Sequence, residues 1–327
     1  MIRTRVLGTG SYAPAHVLSN KDLEKMVETS DEWISTRTGI KNRHISKGES
    51  AGDLAINASK IALEKANIQP EEVDIIIVAT VTPDTLFPAT ACWVQKSLGI
   101  EKCLSFDISA ACSGFLYGLS LADNFLKLGE HKTALVIGSE VLSLVVDWED
   151  RNTCVLFGDG SGAAVLQGYN GNKGSNILSR SIGTDVAGID LLKIPGGGSR
   201  IPYSQEVLDK KLHTIQMKGN EVFKNATRTM VMAIESALEK ANLTVEDINW
   251  FIPHQANIRI INYVGKRLKI PKDKVIINLQ EYGNTSAASI PIALDESLRN
   301  STIKSGDLVC LFAFGAGFTY GAIIMEI

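Results

Sequence analysis

The chain has 327 residues, 45% hydrophobic and 21% charged, with 9 prolines. That is about two domains' worth at ~150 residues each, and the composition excludes a disordered or fibrous chain. The 33 basic and 36 acidic residues leave a net charge of −3, without the basic excess expected of a nucleic-acid binder.

No run approaches the ~20 apolar residues that span a bilayer. The opening MIRTRVLGTGSYAP reads as a strand and turn, not a signal peptide. A cytoplasmic globular protein is expected, with neither nucleic acid nor membrane as partner. The five cysteines (Cys92, Cys103, Cys112, Cys154 and Cys310) include no CxxC pair. This pattern fits reduced thiols better than a disulfide framework or a zinc ribbon. No histidine–carboxylate cluster has metal-ligand spacing, so no metal is expected.

Along the chain, helical and strand-like patterns alternate. Gly8-Thr9-Gly10 opens no helix and is no dinucleotide fingerprint. Asp53–Ala66 is amphipathic at helical spacing, and Val73–Thr80 is a buried strand. Leu104–Ile108 and Thr133–Gly138 are further strands with a helix-like stretch between them. Gly158-Asp159-Gly160-Ser161-Gly162 reads as a tight turn between strands. From Gly168 to Gly219 the pattern weakens into a connection lying over a binding site. Asn249–Pro253 and Leu308–Phe314 are apolar strands again. The alternation implies α/β architecture with covered sheets.

An internal repeat organises these elements. Ala62-Leu63-Glu64-Lys65-Ala66-Asn67 recurs as Ala237-Leu238-Glu239-Lys240-Ala241-Asn242, from 62 to 237, an offset of 175. Each copy runs into an acidic residue and an apolar strand. Ten uncharged residues followed by an aspartate also come after both Cys112 and Asn284, an offset of 172. A helix without charge on any face is a buried one. The pattern therefore predicts two central helices, one per half, with Cys112 and Asn284 at their N-termini. The halves are expected to span 1–170 and 171–327. Pro291, inside the second helix, is expected to kink it.

A cysteine at a helix start feels the positive end of the dipole, which favours thiolate, and the adjacent N–H groups can hold an oxyanion. Small neighbours, Ala110-Ala111 and Ser113-Gly114, leave Cys112 open to substrate. The other four cysteines read as buried structural residues. His254 ends an apolar strand, where ligands bind in α/β sheets. His16, His44, His131 and His213 read as surface residues. If the halves pack about a pseudo-twofold axis, His254 and Asn284 face Cys112. Thiol, imidazole and amide together suit acyl transfer through a thioester. Phe314-Gly315-Ala316-Gly317 ends a strand and brings backbone close to such a centre.

Four motifs closely resemble the β-ketoacyl-acyl carrier protein synthase III family of the thiolase-like superfamily. They are Asp107-Ile108-Ser109-Ala110-Ala111-Cys112-Ser113-Gly114-Phe115, His254-Gln255-Ala256-Asn257, Tyr282-Gly283-Asn284-Thr285-Ser286 and Phe314-Gly315-Ala316-Gly317. The likeness runs from Gly8-Thr9-Gly10-Ser11 through Thr29–Ile40 to the last strand. It implies an α/β, five-layered αβαβα thiolase-like fold built from two duplicated halves, and a homodimer with Phe87 lining the partner's acyl pocket. It implies an acyltransferase of fatty-acid biosynthesis that condenses acyl-CoA, with acetyl-CoA the expected primer, with malonyl-acyl carrier protein through an acyl-Cys112 intermediate. His254 and Asn284 would bind the malonyl thioester carbonyl. The backbone N–H groups of Cys112 and Ala316 would form the oxyanion hole, Ala316 standing where many relatives carry glycine.

For coenzyme A the resemblance implies Trp33 stacked on adenine opposite Arg151, Arg37 at the phosphates, Asn257 at the pantetheine amides, and Gly219 and Phe223 along the tunnel. Coenzyme A is thereby a substrate, with no separate cofactor. Arg259, Lys224 and Lys266 would dock the acidic carrier protein. The alternatives are a secondary-metabolite ketosynthase with another primer, a cysteine thioester hydrolase, and an inactive subunit, which would be expected to lack Cys112.

Overall fold

The computed structural model describes residues 2–171 and 174–327. The first half runs β1 (Ile2–Tyr12), α1 (Asp31–Thr38), α2 (Ala51–Ala66), β2 (Ile75–Ala79), α3 (Thr90–Ser97), β3 (Leu104–Ile108), α4 (Gly114–Leu128), β4 (Thr133–Val141) and β5 (Asp159–Asn170). Its sheet has the order β1-β5-β4-β2-β3, with β2 parallel to β3 and β4 and the β4–β5–β1 side antiparallel. The second half runs β6 (Asn176–Thr184), α5 (Gly219–Ala241), β7 (Trp250–Pro253), α6 (Ile258–Leu268), α7 (Ser289–Arg299), β8 (Leu308–Gly315) and β9 (Thr319–Glu326). Its sheet has the order β7-β8-β9-β6, parallel between β7 and β8 and antiparallel elsewhere. Val275 makes a parallel bridge to Phe251 at the outer edge of β7, where β3 lies in the first sheet.

Strand alternation builds the layers. Ile76 and Val78, with Leu135, Ile137, Ala163 and Val165, pack under α2 and α3. On the opposite face Ile75, Ile77, Val136 and Leu166 meet α4 and α7, which also receive Ile252, Val309, Leu311 and Ile323 from the second sheet. The far face of that sheet, Phe251, Phe312 and Ile324, packs under α5. Helices, sheet, central helix pair, sheet and helices make five layers.

The repeated hexapeptide has a local cause. Asn67 and Asn242 end α2 and α5 as left-handed caps (φ 52° and 54°), a conformation asparagine tolerates better than most side chains. The separation of 175 then persists: Ala66 to Ala241 at the ends of α2 and α5, Gly114 to Ser289 at the starts of α4 and α7, and Thr133 to Leu308 at the starts of β4 and β8.

Four readings are corrected. The register of 175 pairs Cys112 with Ala287, so the offset of 172 that paired it with Asn284 is coincidental. Pro291 kinks nothing, because α7 begins at Ser289 and a proline in the first turn removes no helical hydrogen bond. Gly158–Gly162 forms no turn between strands: Asp159 already opens β5, where Gly162 lies opposite Gly138. The glycines there reflect close packing, since a Cβ on Gly162 would stand 2.7 Å from the Ile292 nitrogen on α7. The weakly patterned stretch after Gly168 also contains β6, a strand of the second sheet.

Asp295 on α7 ties the halves together. It is 2% exposed, accepts hydrogen bonds from Thr9 (2.9 Å) and Ser11 (2.7 Å) on β1, and pairs with Lys65 (2.7 Å) on α2. Asp295→Ala orphans the Thr9 and Ser11 hydroxyls and is expected to cost about 2–4 kcal/mol, read by urea denaturation.

Candidate active site

Each central helix is entered through a 3-10 turn, Ala111–Ser113 before α4 and Ser286–Ala288 before α7. The first residue of each is left-handed, Ala111 at φ 46° and Ser286 at φ 49°, again 175 positions apart. Such strain in non-glycine residues persists only where the surroundings over-determine it. A Cβ on Gly138 would lie 2.2 Å from the Ala287 carbonyl oxygen, and one on Gly315 2.6 Å from the Cys112 nitrogen. Strand ends thus press both turns from behind at positions only glycine fills.

Cys112 is the middle residue of the first turn and half-buried. His254 follows β7, with its N–H on the Phe312 carbonyl (2.7 Å) and its Nδ1 2.7 Å from Ser289 Oγ. Ser289 Oγ also accepts the Gln255 N–H (3.3 Å) and has no other acceptor among the described residues, so its proton goes to Nδ1. That tautomer leaves Nε2–H for the cavity. Asn284 is stapled to the first half, its N–H on Leu156 O (2.8 Å) and its carbonyl accepting Gly158 N–H (3.0 Å). Its Oδ1 accepts the Ser286 N–H (2.9 Å), which leaves the carboxamide NH₂ as donor.

These three side chains line one cavity of about 1060 Å³. Ala316, Trp33, Arg37, Gly219, Phe223, Asn257, Arg259 and Lys224 line it as well. Ala316 is not left-handed, so its alanine side chain adds no strain. Asn257 caps α6 through Oδ1, which accepts Arg259 N–H (2.8 Å), and keeps its NH₂ for a ligand.

Burial dominates the electrostatics. It pushes the Cys112 thiol up to about 12, with Ser286 opposing and Glu140 adding to the rise. The helix-start field acts in the thiolate direction. Burial pushes His254 down to about 3, so the imidazole is a neutral donor at physiological pH.

Other candidates sit differently. Arg151 does not line the cavity: its guanidinium stands 5.2 Å from the Trp33 ring centroid, with Arg37 at 4.7 Å, and it donates to Glu28 O (2.8 Å). A purine entering between Arg151 and Trp33 has to displace that guanidinium. Phe87 and Leu86 are 85% and 88% exposed and outside the cavity, and Lys266 is exposed on α6. A second groove of about 450 Å³ between α5 and α6 is lined by Lys224, Arg228, Tyr263 and Arg267 among others. Among the described residues no cluster of three or more His, Cys, Asp or Glu is placed to hold a metal, and no helix is long and apolar enough to cross a membrane.

The family models for 3-oxoacyl-(acyl-carrier-protein) synthase III and for its C-terminal part match residues 106–186 and 238–327. The chain belongs to this family of condensing acyltransferases. It is 55% identical to a β-ketoacyl-(acyl-carrier-protein) synthase III of Caldanaerobacter subterraneus, over 99% of this chain and 98% of that one. The crystal structure of the Aquifex aeolicus synthase III is 49% identical and superposes with a TM-score of 0.92, covering 99% of this chain and 100% of that one. A priming β-ketosynthase of the R1128 polyketide pathway is 35% identical, with a TM-score of 0.91 over 99% of this chain and 96% of that one. These likenesses place the chain in the thiolase-like fold.

Sequence reading missed Ser286, Ser289 and Glu140, ordinary residues whose meaning depends on tertiary contact, as when Ser289 meets His254 and Glu140 meets Thr80 and Thr82. It also passed over Arg228 and Arg267, although Lys224/Arg228 and Arg259/Tyr263/Arg267 recur every four residues on their helices.

The depressed pKa of His254 has a stability signature. Above pH 6.5 the imidazole is neutral folded or unfolded; between 6.5 and about 3 only the unfolded chain takes the proton. Each pH unit in that window costs about 1.4 kcal/mol. The stability advantage of the unaltered protein over His254→Gln is therefore expected to fall by about 2 kcal/mol from pH 7 to pH 5, measured by denaturation at both values.

Proposed function

We propose that the chain joins the acyl group of an acyl-CoA to malonyl-acyl carrier protein with loss of carbon dioxide, giving a 3-oxoacyl-acyl carrier protein. The observation that carries this reading is the convergence of Cys112, His254 and Asn284 on one cavity. In this reading the Cys112 sulfur attacks the acyl-CoA carbonyl and coenzyme A leaves. The tetrahedral oxyanion lies against the backbone N–H groups of Cys112 and Ala316. The malonyl thioester carbonyl then meets the His254 Nε2–H and the Asn284 NH₂. Loss of carbon dioxide builds enolate charge on that oxygen, where each neutral donor contributes about 3–4 kcal/mol. The carbanion attacks the acyl-Cys112 carbonyl, and the thiolate is the leaving group. His254, held neutral, donates without needing a proton first, and no step calls for a metal or a separate cofactor.

Trp33 and Arg37 are read as holding the nucleotide end of coenzyme A, with Arg151 as the mobile cover. Asn257, Gly219 and Phe223 are read as lining the pantetheine arm. Arg259, Lys224 and Lys266, joined by Arg228 and Arg267, form the cationic face for an acidic carrier protein. The exposed Leu86–Phe87 pair supports a homodimer in which a second copy covers it. A cytoplasmic location accords with free cysteines. The domain reading, halves at 1–170 and 171–327, accords with a first sheet ending at Asn170 and a second beginning at Asn176.

Substitution separates the half-reactions. Cys112→Ala is expected to abolish acylation by acyl-CoA, while His254→Ala still acylates but loses at least a hundredfold in malonyl decarboxylation. Mass spectrometry of the intact protein and carbon dioxide release measure the two. An acylated Cys112→Ala enzyme overturns the assignment. Free acid without a longer product marks a hydrolase. A panel of acyl-CoA primers scored by product mass separates a fatty-acid synthase from a priming ketosynthase of the polyketide kind. Arg228→Glu is expected to raise KM for the carrier-bound donor about tenfold, with single-turnover acylation by acyl-CoA much less affected.

A further inference from the structure

Arg43 is 0% exposed, on the short strand Asn42–His44 that pairs with Val17–Ser19. Among the described residues no carboxylate pairs with it, and its Nε has no partner. The guanidinium instead joins two distant segments. Nη1 donates to Leu18 O (3.1 Å) and Asn20 Oδ1 (2.9 Å), and Nη2 to Val155 O (2.8 Å). Burial draws the group down to about 10, which leaves it a cation at neutral pH. A buried cation without an anion is unfavourable, and an apolar side chain of similar volume would avoid that desolvation. What the apolar chain would not supply is a rigid planar fork that sets one segment against another.

Val155 opens the segment that staples Asn284. Leu156 O accepts the Asn284 N–H (2.8 Å), the Gly158 N–H donates to Asn284 O (3.0 Å), and Phe157 forms a bridge to Asn284 between them. The Arg43 stem backs the same staple: a Cβ on Gly158 would stand 3.1 Å from Arg43 Cβ, and one on Gly283 3.4 Å. Two residues before Arg43, the Lys41 N–H holds the Gln280 carbonyl (3.0 Å), so this strand runs along the chain that leads into Asn284. At the far end of the segment Asp159, also 0% exposed, accepts from Ser46 N (2.7 Å), Ser143 N (2.9 Å) and Ser143 Oγ (2.6 Å). Residues 155–159 are thus fixed at one end by a buried cation and at the other by a buried carboxylate. Cys112 and His254 are held by other means. Gly315 admits the Cys112 nitrogen and Thr319 Oγ1 donates to Ala110 O (2.7 Å), while His254 rests on Phe312 O and Ser289 Oγ. Arg43 makes no hydrogen bond to any of these. Of the three side chains that meet in the cavity, Asn284 is the one whose backbone depends on the segment that Arg43 fixes.

We propose that Arg43 is a positioning residue for the decarboxylation half-reaction, its guanidinium fixing Val155 and, through the staple, the Asn284 carboxamide. It touches no substrate and moves no proton. Its effect is geometric: a donor displaced by about 1 Å from a developing enolate oxygen loses much of its stabilising power. The other arm of the fork reaches α1 through Asn20, whose Nδ2 donates to Asp31 Oδ1 (2.7 Å) and Ser35 Oγ (3.2 Å). Val155, Leu156 and Phe157 also line the cavity. Binding of acyl-CoA is therefore separated from the chemistry of acylation in the test. This inference rests on the reading of Asn284 as a donor to the malonyl carbonyl.

Arg43→Met, which keeps the stem, and Arg43→Lys, which keeps stem and charge but not the fork, test it in the full-length protein. Carbon dioxide release from malonyl-acyl carrier protein is followed beside single-turnover acylation at saturating acetyl-CoA, the latter by rapid quench and mass spectrometry. In both variants kcat for decarboxylation is expected to fall roughly tenfold or more, with KM for the malonyl donor and the acylation rate each within about twofold. In the double variant Arg43→Met with Asn284→Ala, decarboxylation is expected to fall no further than in Asn284→Ala alone, the mark of two residues acting through one contact. Unchanged decarboxylation in both variants overturns the proposal, and an Arg43→Lys protein as active as the unaltered one shows that charge matters and the fork does not. An equal fall in both half-reactions overturns it as well, because that is a general loosening of the fold. So does a loss that multiplies with that of Asn284→Ala. If Arg43→Met does not fold, Arg43→Lys and its double variant carry the same expectations; if neither folds, Arg43 serves folding itself and the proposal falls. An Asn284→Ala protein that decarboxylates normally removes the underlying reading of Asn284 instead, which distinguishes the two failures.

Discussion

Two strained turns, set back to back between the sheets, are the constraint on which the rest of this structure depends. Ala111 and Ser286 hold left-handed conformations that neither residue type favours, and strand ends lock them at Gly138 and Gly315. If either turn relaxed, Cys112 would leave the head of α4, or Asn284 would lose the Ser286 N–H that orients its carboxamide. The five layers, the matched sheets and the Asp295 tie all bear on keeping these two loops in contact. A fold made of two copies of one unit supplies such a seam naturally, because the same turn arrives from both sides.

The chemistry arises where the copies differ. At the register of 175, Cys112 faces the role of Ala287, His254 that of Ala79, Ser289 that of Gly114 and Glu140 that of Gly315. In the first half Ala79 packs closely on Gly114, where a Cβ would stand 2.9 Å from the Ala79 side chain. In the second half the equivalent pair is His254 hydrogen-bonded to Ser289. One half therefore keeps an apolar contact where the other has an oriented imidazole. Gly315 admits the Cys112 nitrogen, whereas Glu140 at the matching place accepts hydrogen bonds from Thr80, Val81 and Thr82. The nucleophile belongs to one copy and its donors to the other, and each equivalent position left small makes the space its counterpart requires.

Much of this was legible in the sequence. The hexapeptide repeat and the uncharged central helices are local patterns, and local patterns survive without coordinates: β3 and the end of α2 fall where the periodicity puts them. The motif around Cys112 and the histidine at the end of β7 carry positional meaning of the same kind. What was not legible is contact between segments far apart in the chain. The uncharged run after Asn284 suggested a helix start, but the helix begins five residues later, because the intervening chain is spent on the staple to Leu156–Gly158 and on the strained turn. Ser289 and Glu140 carry no local signal, since a serine in a helix and a glutamate in a strand acquire significance only from what they touch.

Burial also decides how charge is distributed at the site. A cysteine raised towards 12 and a histidine lowered towards 3 cannot form a resting thiolate–imidazolium pair. The cavity is thus a neutral place that bears negative charge only transiently, first on an attacking sulfur and then on an enolate oxygen. Neutral donors suit the second task, because a protonated imidazole would be stabilised by the malonyl carboxylate before that group departs and would hold the ground state as firmly as the transition state. The same low polarity that keeps His254 neutral raises the cost of exposing a thiolate. Such a site therefore needs the helix-start field and backbone N–H groups within the span of one turn.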